Sequence, residues 1–177
     1  MSRIRITGGE WRSRLIQVAD APGLRPTPDR VRETLFNWLG QDLDGLACLD
    51  LFAGSGILGF EAASRGAGSV ALVERSRPAF AALKKHADDF ACPRLELFCC
   101  DALKFAPPSG RRFDVLFLDP PYGQGWLDRI ESRLEQLAAP RARLYAEAEV
   151  PLEKLGSWTV TKQGRAGQVF FHLLERA

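Results

Sequence analysis

From Ala47 onward, short apolar runs alternate with stretches of helical spacing, and this alternation restricts the fold more than any other feature of the chain. A strand that returns parallel to its predecessor needs a crossover long enough for a helix, so the pattern specifies a mostly parallel sheet with helices on its faces. The spacing predicts strands over residues 47–52, 70–74, 95–100, 113–118 and 142–149, with helices near 57–65, 77–90 and 126–138. The tail breaks the pattern. Residues 158–162 and 168–175 flank Gln163-Gly164-Arg165-Ala166-Gly167, which reads as an antiparallel hairpin. Seven strands result, a variant of the doubly wound, Rossmann-like α/β plan closed by an antiparallel pair.

Ahead of this unit, residues 4–18 read as two short strands around Gly8-Gly9 and Glu10-Trp11. The proline-rich run Ala21-Pro22-Gly23-Leu24-Arg25-Pro26-Thr27-Pro28 then forms a stiff extended connector. Val31, Leu35, Phe36, Trp38 and Leu39 predict a helix over 29–39, with Thr27 or Asp29 as N-cap and Pro28 suited to its first turn. The expected organisation is a basic hairpin and connector over 1–27 and a main domain over 28–177. A chain of 177 residues has little room for two separate cores.

Charge is unevenly placed. Residues 1–32 carry seven arginines against Glu10, Asp20 and Asp29, a net +4, whereas the whole chain is only +2 and the remainder therefore −2. An arginine-only segment before a mildly acidic body is what a phosphate-contacting arm requires, and equally what a solvated hairpin face shows. No apolar run is long enough to span a bilayer, and the N-terminus lacks the apolar core of a signal peptide, so a cytoplasmic location is expected. Cys48, Cys92, Cys99 and Cys100 show no CxxC spacing, and only His86 and His172 could assist them, which argues against a structural zinc. Cys48 and Cys99 lie in apolar runs and read as small hydrophobes.

The first strand of the main domain runs into Asp50-Leu51-Phe52-Ala53-Gly54-Ser55-Gly56-Ile57-Leu58-Gly59, a glycine loop opening a helix. The GxGxxG match raises dinucleotide binding. Asp50, four residues before the first glycine, is ill placed beside a pyrophosphate but well placed for a cationic sulfonium ligand bearing an amino acid. Glu74 ends the next strand, where it can accept ribose hydroxyls, and Asp101 ends the third, where it can meet an adenine amino group. Acids ending three successive strands at the carboxyl edge favour S-adenosylmethionine. The candidate cofactor contacts are Asp50, Phe52, Ala53, Gly54, Ser55, Gly56, Glu74, Asp101, Ala102 and Asp119.

The fourth strand ends in Asp119-Pro120-Pro121-Tyr122. Consecutive prolines can neither extend a ladder nor open an ordinary helix, and so fix a stiff loop. An acid before it and an aromatic after it suit a flat amine. The exocyclic amine of a nucleobase is a poor nucleophile because its lone pair is delocalised. Asp119 can accept one N–H and the carbonyl of Pro120 another, aiming the lone pair at a methyl group, while Tyr122 stacks on the base. Asp119, Pro120 and Tyr122 are therefore the candidate catalytic residues, and no metal is required.

The run from Arg5 to Arg14, the stretch from Gly23 to Leu39, the glycine loop, Asp119 to Tyr122 and the late Ala166-Gly167-Gln168-Val169 together resemble the bacterial 16S ribosomal RNA guanine-N2 methyltransferase family, the RsmD type. The resemblance runs nearly end to end. It implies a class I S-adenosylmethionine-dependent methyltransferase fold and methylation of the 2-amino group of one guanine, guanine-966 in the usual nomenclature. It further implies a substrate of 16S rRNA in assembled or nearly assembled small (30S) subunits, and a monomer. On that basis Arg3, Arg5, Arg12, Arg14, Arg25 and Arg30 are expected to hold RNA backbone, with Trp11 either stacking on a base or forming hairpin core. Arg32 could instead be structural, paired with Glu33 or Asp29. A DNA adenine-N6 methyltransferase shares loop and tetrapeptide but ordinarily carries a target-recognition domain. An NAD-dependent oxidoreductase leaves Asp119 to Tyr122 unexplained, and a non-catalytic ribosome-assembly protein has no use for the pocket.

Overall fold

The computed structural model of the chain describes residues 2–18 and 27–176. Arg25 and the run 21–26 of the expected connector lie outside the described residues. Strands β1 (Ser2–Arg5) and β2 (Leu15–Val18) form a two-stranded antiparallel sheet. Helix α1 (Asp29–Leu39) follows, then β3 (Ala47–Asp50), α2 (Ile57–Ser64), β4 (Ser69–Val73), α3 (Arg77–Phe90), β5 (Leu95–Phe98), β6 (Phe113–Leu118) and α4 (Trp126–Leu137). The chain ends in β7 (Ala138–Ala148), β8 (Lys154–Leu155), β9 (Trp158–Ala166) and β10 (Val169–Glu175). The main sheet has the order β5-β4-β3-β6-β7-β10-β9-β8, parallel across its first five members and antiparallel beyond them. This is the Rossmann-like α/β architecture with its antiparallel closure. It has eight strands rather than seven because Lys154–Leu155 pairs with the start of β9.

Side chains alternate across the central strands as the two-residue period demands. Cys48, Val70, Leu72, Val115, Phe117, Tyr145 and Leu173 pack on the face covered by α1, α2 and α3. Leu49, Ala71, Val73, Leu116, Leu118, Leu144 and Leu174 pack on the other, against Trp126, Ile130, Leu134 and Leu137 of α4. β7 begins four residues earlier than its apolar run suggests, directly after α4, because Ala138 pairs with Phe113.

Helix α2 is buried at every position, Glu61 and Ser64 included. A helix apolar all round must be covered on all sides. Its outer side is closed by the N-terminal hairpin, whose Ile4, Ile6, Trp11 and Ile16 join the core. Glu10 N donates to Ser64 O at 2.8 Å, Trp11 N to Ser64 Oγ at 2.9 Å, and Ser64 Oγ to the Gly8 carbonyl at 2.6 Å. Gly9 sits at φ +79 with the Ser64 carbonyl 2.0 Å from where a Cβ would stand, so this contact requires glycine. Glu61 accepts Thr7 N at 2.5 Å, Thr7 Oγ1 at 2.9 Å, Arg32 Nη1 at 2.7 Å and Arg65 Nε at 3.2 Å. Arg32 also bonds Asp29 and the carbonyls of Arg5 and Thr27. Its structural role is thus set by Asp29 and the distant Glu61, with Glu33 exposed and uninvolved.

Neither expected side chain caps α1: Pro28 occupies the N-cap position without a side-chain bond, and Asp29 is already helical. Cys48 is buried, and burial pushes its thiol up to about 12. Cys99 is exposed, contrary to its apolar setting in sequence, because the edge strand β5 stops at Phe98. Among the described residues, no helix is long and apolar enough to cross a membrane.

Candidate active site

The carboxyl edge of the five parallel strands gathers one acid from each. In spatial order these are Asp101 past β5, Glu74 past β4, Asp50 ending β3, Asp119 past β6 and Glu147 within the last two residues of β7. Ligands of open α/β sheets bind at this edge. Asp50, Glu74, Asp101 and Asp119 are thus brought together as their positions in sequence suggest; Glu147 is an addition.

Asp50 is buried, with Oδ2 accepting Gly59 N at 3.1 Å and Oδ1 enclosed without a partner. Burial raises its pKa to about 7, opposed by the Gly59 N–H and reinforced by the charge of Glu74. An orphaned buried carboxyl oxygen calls for a donor from outside the chain. The adjoining loop leaves room for one: Gly54 has φ +54 and open space where a Cβ would stand. Glu74 accepts Gly54 N at 2.9 Å and Ser76 N at 2.8 Å, which pins the loop to β4 and fixes the direction of the carboxylate. Each oxygen keeps a lone pair for a hydroxyl. Asp101 accepts Leu103 N at 2.8 Å, which fixes it at the start of the turn containing Ala102. Phe52 meets the Trp126 ring edge-on at 5.4 Å, and Ala53 is buried, so the loop's far side is packed; Ser55 and Gly56 complete the turn into α2. This donor and acceptor set fits a ligand with a cationic amino-acid end and a ribose. Among the described residues, no group of three histidine, cysteine, aspartate or glutamate side chains could hold a metal ion.

Asp119 directly follows the buried end of β6; Pro120 is buried, whereas Pro121 and Tyr122 are exposed. The carboxyl of Asp119 is held well above the ordinary range, first by burial, then by a hydrogen bond to Glu147 and by the charges of Glu147 and Asp50. Thr27 opposes this by bonding the carboxyl from the segment leading into α1. Thr27 is therefore a site residue that its place before a helix disguised as a cap. Tyr145 Oη donates to Glu147 Oε1 at 2.8 Å, and burial followed by the Glu147 charge raises the phenol well above its ordinary value.

Arg3 and Arg5 lie on the outer face of the hairpin, opposite Gln17 and Leu15, while Ile4 and Ile16 face the core. Arg12 is exposed on the turn and Arg30 in the first turn of α1, three residues from Thr27. Arg14 is exposed but lies over the Phe90 ring at 4.1 Å. Trp11 stacks on Phe90 with centroids 4.2 Å apart and is 6% exposed, so it forms hairpin core and is not presented to a base.

The chain matches the family model described as Conserved hypothetical protein 95 over residues 4–175. It is 40% identical over 179 residues to ribosomal RNA small subunit methyltransferase D of Escherichia coli (strain K12), covering 98% of this chain and 90% of that protein. It is 39% identical to the protein of the same name from Haemophilus influenzae, covering 97% and 93%. A solved Escherichia coli structure described as the methyltransferase yhhF superposes with a TM-score of 0.87 at 40% identity, covering 99% of this chain and 98% of that one.

Proposed function

The chain belongs to the Conserved hypothetical protein 95 family, and from that premise we propose that it is an S-adenosylmethionine-dependent rRNA methyltransferase that modifies the 2-amino group of guanine-966 in 16S rRNA of the small subunit. The observation that carries the reading is the row of acids at one sheet edge, with Asp50 Oδ1 buried and unsatisfied beside an open glycine loop and Asp119 opening a stiff proline loop. S-adenosylmethionine, when bound, supplies an activated methyl group on a sulfonium. Asp50 and the Gly54 to Gly56 turn hold its amino-acid end, Glu74 its ribose, and Asp101 with Ala102 its adenine. Asp119 and the Pro120 carbonyl take the two amine hydrogens, and Tyr122 packs on the base. Alignment of a weak nucleophile is the main work left to the protein.

The arm, residues 1–27, grips the surrounding phosphates through Arg3, Arg5, Arg12, Arg14 and Arg25, helped by Arg30 at the start of α1, and the domain over 28–177 performs the transfer. Asp119→Ala is the direct test. Methyl transfer to hypomethylated small subunits should fall by on the order of 100-fold or more, far beyond any loss of S-adenosylmethionine affinity. Near-normal turnover would remove the amine-steering role.

A further inference from the structure

Glu147 has no part in the roles assigned above, yet it is the acid hydrogen-bonded to Asp119. It is 6% exposed, and the β6–β7 register, with Leu118 opposite Ala146, sets it level with Asp119 at the sheet edge. By the alternation of the two strands, both side chains lie on the face of Phe117 and Tyr145, under α1. A buried glutamate on a central strand is costly unless paired. Its partners are Tyr145 Oη at 2.8 Å and the Asp119 carboxyl. Two carboxyl groups hydrogen-bond only by sharing a proton. Asp50 from β3, Tyr145 from β7 and the Thr27 hydroxyl also face the pair, and the charge of Tyr122 from the proline loop acts on Tyr145. Of the two, Asp119 is the carboxyl held well above its ordinary range, first by burial and then by Glu147, while Glu147 accepts from Tyr145 Oη.

Resting on the methyl-transfer reading above, we propose that Glu147 is the final protein acceptor of the amine proton, reached through the two oxygens of Asp119. The amine nitrogen forms its bond to the methyl carbon as the carbon–sulfur bond breaks, and sulfur keeps that electron pair. The nitrogen then releases one proton to the Asp119 oxygen facing it. The proton already on the other Asp119 oxygen passes to Glu147, so Asp119 stays neutral throughout and Glu147 becomes a neutral acid that later yields its proton to solvent. Tyr145 holds the Glu147 carboxylate in line. Glu147 acts through Asp119 and does not touch the substrate, so it is a positioning residue in this relay.

Glu147→Gln keeps the shape and removes the acceptor. With the S-adenosylmethionine dissociation constant unchanged, kcat should fall by on the order of 100-fold, and the alkaline limb of the kcat profile should move to lower pH, since Asp119 must stay neutral and, burial aside, the hydrogen bond and charge of Glu147 that raise its carboxyl are gone. Glu147→Asp should recover part of the rate. Infrared titration of the carboxylic-acid carbonyl band, without substrate, should show a lower midpoint in Glu147→Gln than in the wild type; the contribution of Asp50 is common to both. A variant with wild-type kcat and limb, or one slowed with neither the limb nor the infrared midpoint moved, overturns the relay. An infrared shift in a wild-type protein that transfers no methyl to 16S rRNA would overturn the assigned reaction, and the relay with it, while leaving the shared proton intact.

Discussion

A carboxyl buried with one oxygen unsatisfied, as Asp50 is, favours its protonated form until a cation arrives. Because its folded value of about 7 lies above the unfolded 3.8, its contribution to stability is fully present below the unfolded value and is lost as pH rises through about 7. A shift of this size corresponds to about 4 kcal/mol. Denaturation across that range should show stability falling with rising pH, less steeply in Asp50→Asn; equal slopes would take Asp50 out of the account. Cofactor affinity should move oppositely. A ligand cation selects the carboxylate, so S-adenosylmethionine should bind more tightly as pH rises toward about 7 and show a flatter dependence in Asp50→Asn by calorimetry. Asp50, Glu74 and Asp119 were legible in sequence because each closes an apolar run where a polar residue is conspicuous. Glu147 was not. In Ala146-Glu147-Ala148-Glu149 both glutamates fall on the same side of the two-residue period, and only the end of β7 at Ala148 leaves the first buried and the second exposed.

At the scale of elements, the joint between hairpin and α2 carries the most specific chemistry. Glu61→Ala would leave Arg32 and Arg65 buried without their carboxylate, a loss expected to cost about 3–5 kcal/mol. Chemical denaturation should register it, together with faster proteolysis of the N-terminal segment; a loss below about 1 kcal/mol would mean the network is solvated. The outer face of the same hairpin should act on RNA alone. In Arg3→Ala/Arg5→Ala/Arg12→Ala, the slope of log affinity for small subunits against log salt should flatten by about 0.7 for each phosphate contact removed. Cofactor affinity should not change. Element types and most boundaries followed from periodicity, since apolar spacing reports which face is buried. The docking of the hairpin did not. It depends on Thr7 meeting Glu61 and on Gly8, Gly9 and Trp11 meeting Ser64 across more than fifty residues of chain, which no local pattern encodes. The early start of β7 and the short β8 likewise depend on partners, not on their own residues.

At the scale of the whole molecule, the described residues form one doubly wound sheet with its helices and a two-stranded hairpin packed into the same core. The modest net charge of +2 conceals a segregation into a basic N-terminal segment and a body whose acids line one sheet edge. The assigned reaction can be read directly by incubating the protein and S-adenosylmethionine with hypomethylated small subunits and mapping methylated nucleotides in the 16S rRNA by mass spectrometry. One added methyl group is expected, on the 2-amino group of guanine-966, absent with Asp119→Ala. Methylation of another base or position, or transfer to duplex DNA in preference to the subunit, would contradict it.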